Sequence, residues 1–388
     1  MLHQTYSWAE VDQLILSGNV KGKLCRDDLP TPALLLDLDT FEANVAKMVD
    51  HLRIHKRGLR PHGKAHKCPE IAKFLIQAGA VGACAAKISE AEVFAKHGVS
   101  GLLVTSPVVG KHKIERAVGL ATMHPDTILC VDDVQNIRDL NDAAEAAQIC
   151  LNLAIDIHVG GRTGVQPGMP ALRIAELIDS LPAVAAVGLQ AYAGLATHVV
   201  GWAERRDASR AAMAEAIETR WLLEKKGFQM PLLSGGSTGT YDIDSEIEGI
   251  TELQPGSFIF MDIAYQSIGG KYNSRQHDFL NALSVLTTII SKPSYDLAVV
   301  DGGVKAFSTD QPFVPKAKAV EGITYGWGGD EHGLLSLSSP SIPLAVGNTL
   351  EFMVPHCDPT VNLYDRIFCL RGENVEQAWS LAGRGMSQ

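Results

Sequence analysis

The feature that most constrains this chain is an eightfold alternation of short apolar runs with longer amphipathic stretches, from about Gly58 to Gly256. The runs GLRPH (58–62), AVGACAA (80–86), GLLVTS (101–106), TILCVD (127–132), LNLAIDI (151–157), AAVGLQAY (185–192), MPLLS (230–234) and ITELQPG (250–256) read as buried strands. Between most of them lie helix-period segments such as CPEIAKFLIQAG, DVQNIRDLNDAAEAA and RDASRAAMAEAIETRWLLEKKG. Several of these end in glycine, as a left-handed helix cap requires. Eight such units predict an α/β fold with a (β/α)8 TIM-type barrel. An open doubly wound sheet fits less well, because no G-x-G-x-x-G turn follows the first strand.

After residue ~275 the texture changes to β-runs separated by Gly, Pro, Asn and Asp turns: ALSVLTTIIS, YDLAVVDGG, HGLLSLSS, NTLEFMVP and DRIFCLRG. The expected organisation is an extension over 1–27, a segment 28–45 whose strand PALLLDL joins the C-terminal domain, a barrel over 46–270 and a mostly β domain over 271–388. A formal net charge of −10 disfavours nucleic acid or an anionic membrane as partner. The N-terminus has no cationic start followed by an apolar run, and no stretch approaches the ~20 apolar residues a bilayer crossing needs. Seven scattered cysteines without a CxxC pair suit a reducing compartment, so a cytoplasmic enzyme is expected.

Barrel chemistry collects at the C-terminal ends of the strands, with phosphate commonly held after the seventh and eighth. The loop after the seventh run is Ser234-Gly235-Gly236-Ser237-Thr238-Gly239, whose glycines let backbone N–H groups approach an anion. Lys64, just past the first run, is a candidate Schiff-base nucleophile, since partial burial lowers a lysine's pKa; Lys67 is its rival. Arg162 follows the fifth run and could hydrogen-bond a ring nitrogen while keeping it unprotonated. Tyr192 and His198 follow the sixth; a tyrosine can stack, and a histidine can serve as base or metal ligand. In the second domain, Pro355-His356-Cys357-Asp358-Pro359 places His356 and Asp358 on one side of an extended chain. Such a pair suits Mn²⁺ or Mg²⁺; if the loop bends, Cys357 could join and favour zinc.

The motifs PHGKAHKCPE, KISEAEVFAKHG, VDDVQNI, GGRTGV, LQAYAG…H, SGGSTGTYD, TELQPGSFIFMD, DEHG and HCDPTVNLYD follow in that order from about Asp28 to the C-terminus. Together they resemble the D-threonine aldolase family, which shares the alanine racemase-like fold (type III of the pyridoxal-phosphate enzymes) with D-serine dehydratase. The resemblance implies pyridoxal 5'-phosphate bound covalently at Lys64, Arg162 facing the pyridine nitrogen and Tyr192 lining the cofactor. Gly236, Ser237 and Thr238, with Gly256 and Ser257, would hold the phosphate. His356 and Asp358 would hold a divalent metal, Mn²⁺ before Mg²⁺ or Zn²⁺, with His198 beside it as a catalytic residue. The implied reaction cleaves D-3-hydroxy-amino acids, such as D-threonine, to glycine and an aldehyde, in a head-to-tail homodimer. The related dehydratases use a His-x-Cys pair, so Asp358 points to the aldolase branch. Ala86 and Ala264 depart from the family pattern, and 3-hydroxy-D-aspartate stays open as substrate. D-serine or 3-hydroxyaspartate dehydration is the runner-up.

Overall fold

The computed structural model describes residues 6–388; residues 1–5, the start of the expected extension, lie outside the described residues. The chain forms two compact units. One is Val45–Gly256 with Ile268–Ser274 and Gly385–Gln388; the other takes the chain up to Asn44, Ser257–Ser267 and Arg275–Arg384.

β1 (Ala33–Asp37) belongs to the latter unit, and the barrel is built from the next eight strands. These are β2 (Gly58–Leu59), β3 (Ala83–Ala85), β4 (Leu102–Val104), β5 (Ile128–Val131), β6 (Leu151–Asp156), β7 (Val184–Ala191), β8 (Leu232–Gly235) and β9 (Glu252–Leu253). All pair in parallel, in the order β2-β9-β8-β7-β6-β5-β4-β3. A parallel bridge between His62 and Cys84 closes the ring. Continuous apolar strands such as LLV and ILCV suit a sheet covered by helices outside and filled by side chains within. Small residues from neighbouring strands (Cys84, Cys130, Ala154) pack with Leu103 at 0% exposure.

The eight strands fall where the apolar runs predict, all shorter except β7, which keeps its length one residue earlier. GLRPH pairs only over Gly58–Leu59 and ITELQPG only over Glu252–Leu253. Pro61 and Pro255 lack the N–H a ladder needs. Helices Pro69–Gln77, Ile88–Lys96, Lys111–Met123, Val134–Ala146, Met169–Asp179 and Trp202–Lys225 follow β2 to β7 in turn. The turn after β8 carries only the short helix Tyr241–Asp244. An unanticipated helix, Leu38–Ile54, begins directly after β1, so only Ala33–Asp37 of the 28–45 segment is strand.

The second unit adds to β1 the strands β10 (Leu283–Ser294), β11 (Leu297–Val300), β12 (Lys316–Ala317), β13 (Ile323–Trp327), β14 (Gly333–Leu337), β15 (Thr349–Met353), β16 (Arg366–Arg371) and β17 (Asn374–Ser380). They form a mixed sheet ordered β13-β14-β11-β10-β1-β16-β17, with β15 on β10 and β12 on β15. β1 runs antiparallel to β10, with Ala33 opposite Leu286, and parallel to β16, with Leu35 opposite Phe368. Helix Trp8–Ser17 opens with a capping box between Ser7 and Glu10 and ends at Gly18 in the left-handed conformation. It buries Val11 and Ile15 in a core shared with Leu35, Leu286 and Phe368. No helix among the described residues is long and apolar enough to cross a membrane.

Candidate active site

Beyond Leu59 the chain tightens into a 3₁₀ turn, Gly63–Ala65. His62 caps it: its Nδ1 accepts from Lys64 N at 3.3 Å, and its Nε2 lies 3.1 Å from Thr105 Oγ1. Only glycine fits at 63, where a Cβ would stand 2.2 Å from the Phe94 ring. Lys64 is thereby left half-buried at the end of the first barrel strand. Its rival has a different duty. Lys67 Nζ lies 2.8 Å from Glu90 Oε1, and the Glu90 side chain is wholly buried. The other Glu90 oxygen accepts from Ala86 N at 2.6 Å. Removing Lys67 would strand a buried carboxylate, so its amine is committed to structure.

After β6, two carboxylates fasten the Arg162 turn. Thr163 Oγ1 donates to Asp156 Oδ2 at 2.6 Å, and Gly164 N donates to Asp132 Oδ2 at 2.8 Å. Asp156 is buried, which pushes its carboxyl upward, and Gln190 Nε2 donates to it at 3.1 Å. The exposed Arg162 guanidinium stands 4.6 Å from the centroid of the Tyr192 ring, a cation–π distance. Tyr192 is half-buried, with Thr197 Oγ1 3.4 Å from its hydroxyl, and His198 is exposed on the same turn.

The glycine-rich turn follows β8. Gly236 adopts φ +73°, and a Cβ on Gly239 would meet Thr197 O at 2.1 Å. Ser237 and Thr238 are buried. Gly256 lies against the first strand's end, where a Cβ would stand 2.9 Å from His62 O. Beneath the turn is Arg205, 0% exposed. Its guanidinium donates to the carbonyls of Gly239 (2.7 Å), Val199 (2.9 Å), Ile268 (2.9 Å) and Gly269 (2.7 Å). Sequence reading does not single out this arginine. Its signal is its place on the buried stripe of the long helix, with Ser209, Met213 and Ala216 at helical spacing. A crowded glycine turn, buried hydroxyls, a buried cation beneath them and a half-buried lysine fit an anionic aldehyde cofactor.

The second unit holds the other cluster. The extended reading of 355–359 is corrected: His356 is extended (φ −145°, ψ 126°), but Cys357–Val361 is a single helical turn. Partners both near and far in sequence hold the bend. Asp262, buried, accepts from Cys357 N at 2.9 Å, while Ser308 Oγ and Thr360 Oγ1 donate to His356 O at 3.0 and 2.7 Å. Burial, and then the nearby Asp262 and Asp358 carboxylates, push the Cys357 thiol well up. His356 Nδ1 lies 2.7 Å from Asp310 Oδ2, so the ring is oriented with Nε2 on its other side. Asp358 Oδ1 accepts from Ser257 Oγ at 3.1 Å, so the Ser257 side chain serves this cluster. Among the described residues no group of three or more His, Cys, Asp or Glu is placed to hold a metal. The His–Asp pair, with a carboxylate behind the imidazole, fits a cation that completes its shell with water or substrate.

A closed barrel with a lysine at its first strand end and a glycine turn after its seventh, joined to a β unit, defines an alanine racemase-type pyridoxal-phosphate enzyme. The family profile for the alanine racemase N-terminal domain matches residues 36–264, and that for the serine dehydratase domain matches 282–370. A 3-hydroxy-D-aspartate aldolase of Paracoccus denitrificans is 37% identical, covering 92% of this chain and 93% of its own. A D-threonine aldolase of an Arthrobacter species is 35% identical with the same coverage. The crystal structure of D-threonine aldolase from Filomicrobium marinum superposes with a TM-score of 0.89 at 34% identity, covering 95% of this chain and 99% of that one. The chain belongs to the D-threonine aldolase family.

Proposed function

We propose that the chain is an aldehyde-lyase that cleaves the Cα–Cβ bond of D-3-hydroxy-amino acids, D-threonine by preference, to give glycine and an aldehyde. Lys64 would carry pyridoxal phosphate, and His356 and Asp358 would hold a divalent cation, Mn²⁺ by preference. The observation that carries this reading is that the Paracoccus and Arthrobacter relatives, 37% and 35% identical and each matched over 93% of its length, are named as aldolases of D-configured β-hydroxy substrates.

When bound, the cofactor supplies an electron sink for the pair left on Cα. The cation would supply charge that makes a β-hydroxyl more acidic. The chain's own residues do the rest. Lys64 binds the cofactor and returns a proton to Cα. The ion pair of Lys67 with Glu90 supports Lys64 in that role. The turn 235–239 with Gly256 and Ser257 orients the phosphate, Tyr192 lines the ring, and Arg162 faces its nitrogen without protonating it. His198 takes up the β-hydroxyl proton. A homodimer in the cytoplasm completes the proposal.

A second reading keeps the reaction and changes the substrate to 3-hydroxy-D-aspartate, favoured by the Paracoccus relative. Product analysis decides. Purified protein with pyridoxal phosphate and Mn²⁺ is given D-threonine and D-3-hydroxyaspartate, and glycine, acetaldehyde, glyoxylate and ammonia are measured. Glycine with acetaldehyde is the expected outcome, glycine with glyoxylate from the second substrate alone supports the second reading, and ammonia without glycine overturns both.

A further inference from the structure

Below the glycine-rich turn runs a chain of buried polar contacts that the proposed reaction does not use. Thr240 is 2% exposed. Its Oγ1 accepts from Ser237 N at 3.2 Å, lies 2.9 Å from Ser237 Oγ and donates to Asp244 Oδ2 at 2.5 Å. Asp244 Oδ1 accepts from Ser209 Oγ at 2.6 Å, on the long helix Trp202–Lys225. The same Oδ2 lies close under the turn, where a Cβ on Gly236 would meet it at 3.0 Å. The turn thus hangs from a carboxylate that is itself fixed to a barrel helix.

The placement is electrostatically odd. A bare carboxylate beside an anion site repels the anion, so Asp244 is explained by what it holds rather than by what it attracts. A glycine-rich turn left alone samples many backbone states, and its N–H groups bind an anion well only when aligned beforehand. Burial pushes the Asp244 carboxyl up to about 6, against the two hydroxyl donors that lower it.

We propose that Asp244, acting through Thr240, is a positioning residue that fixes the turn 235–239 in the form that accepts the cofactor's phosphate. The inference rests on the reading of that turn as the phosphate site. Affinity for the phosphate group is then governed in part by two buried side chains that act on the shape of the turn.

The test separates phosphate from ring. Apoprotein of the unmodified chain, of Thr240→Val and of Asp244→Asn is titrated with pyridoxal phosphate and with pyridoxal, following visible absorbance, and the ratio of the two dissociation constants is taken. The unmodified chain should strongly prefer the phosphorylated form. In Thr240→Val that preference should fall on the order of ten- to a hundredfold, the scale of a lost hydrogen bond to a charged group, while pyridoxal binds as before. Asp244→Asn should lose less, because the amide keeps one acceptor oxygen. Unaltered ratios in both variants overturn the proposal, as does equal weakening of both ligands, which would mark a general structural defect. If the unmodified chain shows no preference for the phosphorylated form, the phosphate reading of the turn fails instead. Should Thr240→Val not fold, Asp244→Asn carries the comparison alone.

Discussion

In the barrel unit, the candidate side chains come from four separate strand ends, after β2, β6, β7 and β8, each on a short turn. His62 caps the Lys64 turn, Asp156 and Asp132 fasten the Arg162 turn, and Arg205 with the Thr240–Asp244 pair underpins the glycine turn. In the second unit, His356 and Asp358 come from one five-residue segment, and what orients them comes from far away in the chain: Ser257, Asp262, Ser308 and Asp310. One cluster gathers its candidate residues from separate turns; the other takes them from one segment that is braced from elsewhere in the chain. The contrast teaches that a compact motif does not imply a locally determined geometry.

The largest effect that would sharpen this division is complete. Lys64→Ala should yield colourless protein that no longer retains pyridoxal phosphate after borohydride reduction and peptide mapping. A labelled peptide carrying Lys67 in that variant would break the distinction drawn between the two lysines. Next comes the second unit. His356→Ala and Asp358→Ala should each leave the yellow cofactor in place while cutting glycine release to below about one-hundredth, a scale set by losing a charge stabiliser. Loss of colour in these variants would show that the clusters do not divide the work as described. The smallest effect tests the distant supports. Asp310→Ala should weaken Mn²⁺ binding by roughly ten- to a hundredfold, the usual cost of removing a carboxylate behind a ligating imidazole. Calorimetric titration showing unchanged Mn²⁺ affinity would assign Asp310 to the surface rather than to the metal cluster.

The alternation of apolar runs and helical stretches made the barrel legible, because a strand buried on both faces reads as a continuous apolar run. Counting those runs also located Lys64 and the glycine turn at strand ends. Strand lengths were less legible, since Pro61 and Pro255 end pairing inside runs that remain apolar. The bend at Cys357 was not legible. Alternation in HCDP suits extended chain, and the carboxylate that bends it lies nearly a hundred residues earlier, at Asp262. Arg205 was hidden for the opposite reason. Its neighbours are charged, RDASR, and only the spacing of the buried stripe through Ser209 and Met213 marks it as inward-facing. Helix Leu38–Ile54 was missed because polar residues interrupt its apolar positions and no turn residue separates it from β1.

The place of β1 carries a consequence for synthesis. A ribosome releases Ala-Leu-Leu-Leu-Asp ahead of the eight barrel strands, yet the two strands that flank it follow them. Until β10 emerges, this greasy ribbon has both hydrogen-bonding edges open, and one stays open until β16 follows, a state prone to pair with another nascent chain. A premature stop after Gly256 would keep all eight barrel strands and leave that ribbon permanently unmatched. Nonsense products of this gene should therefore clump on their N-terminal strand rather than on the longer domain behind it.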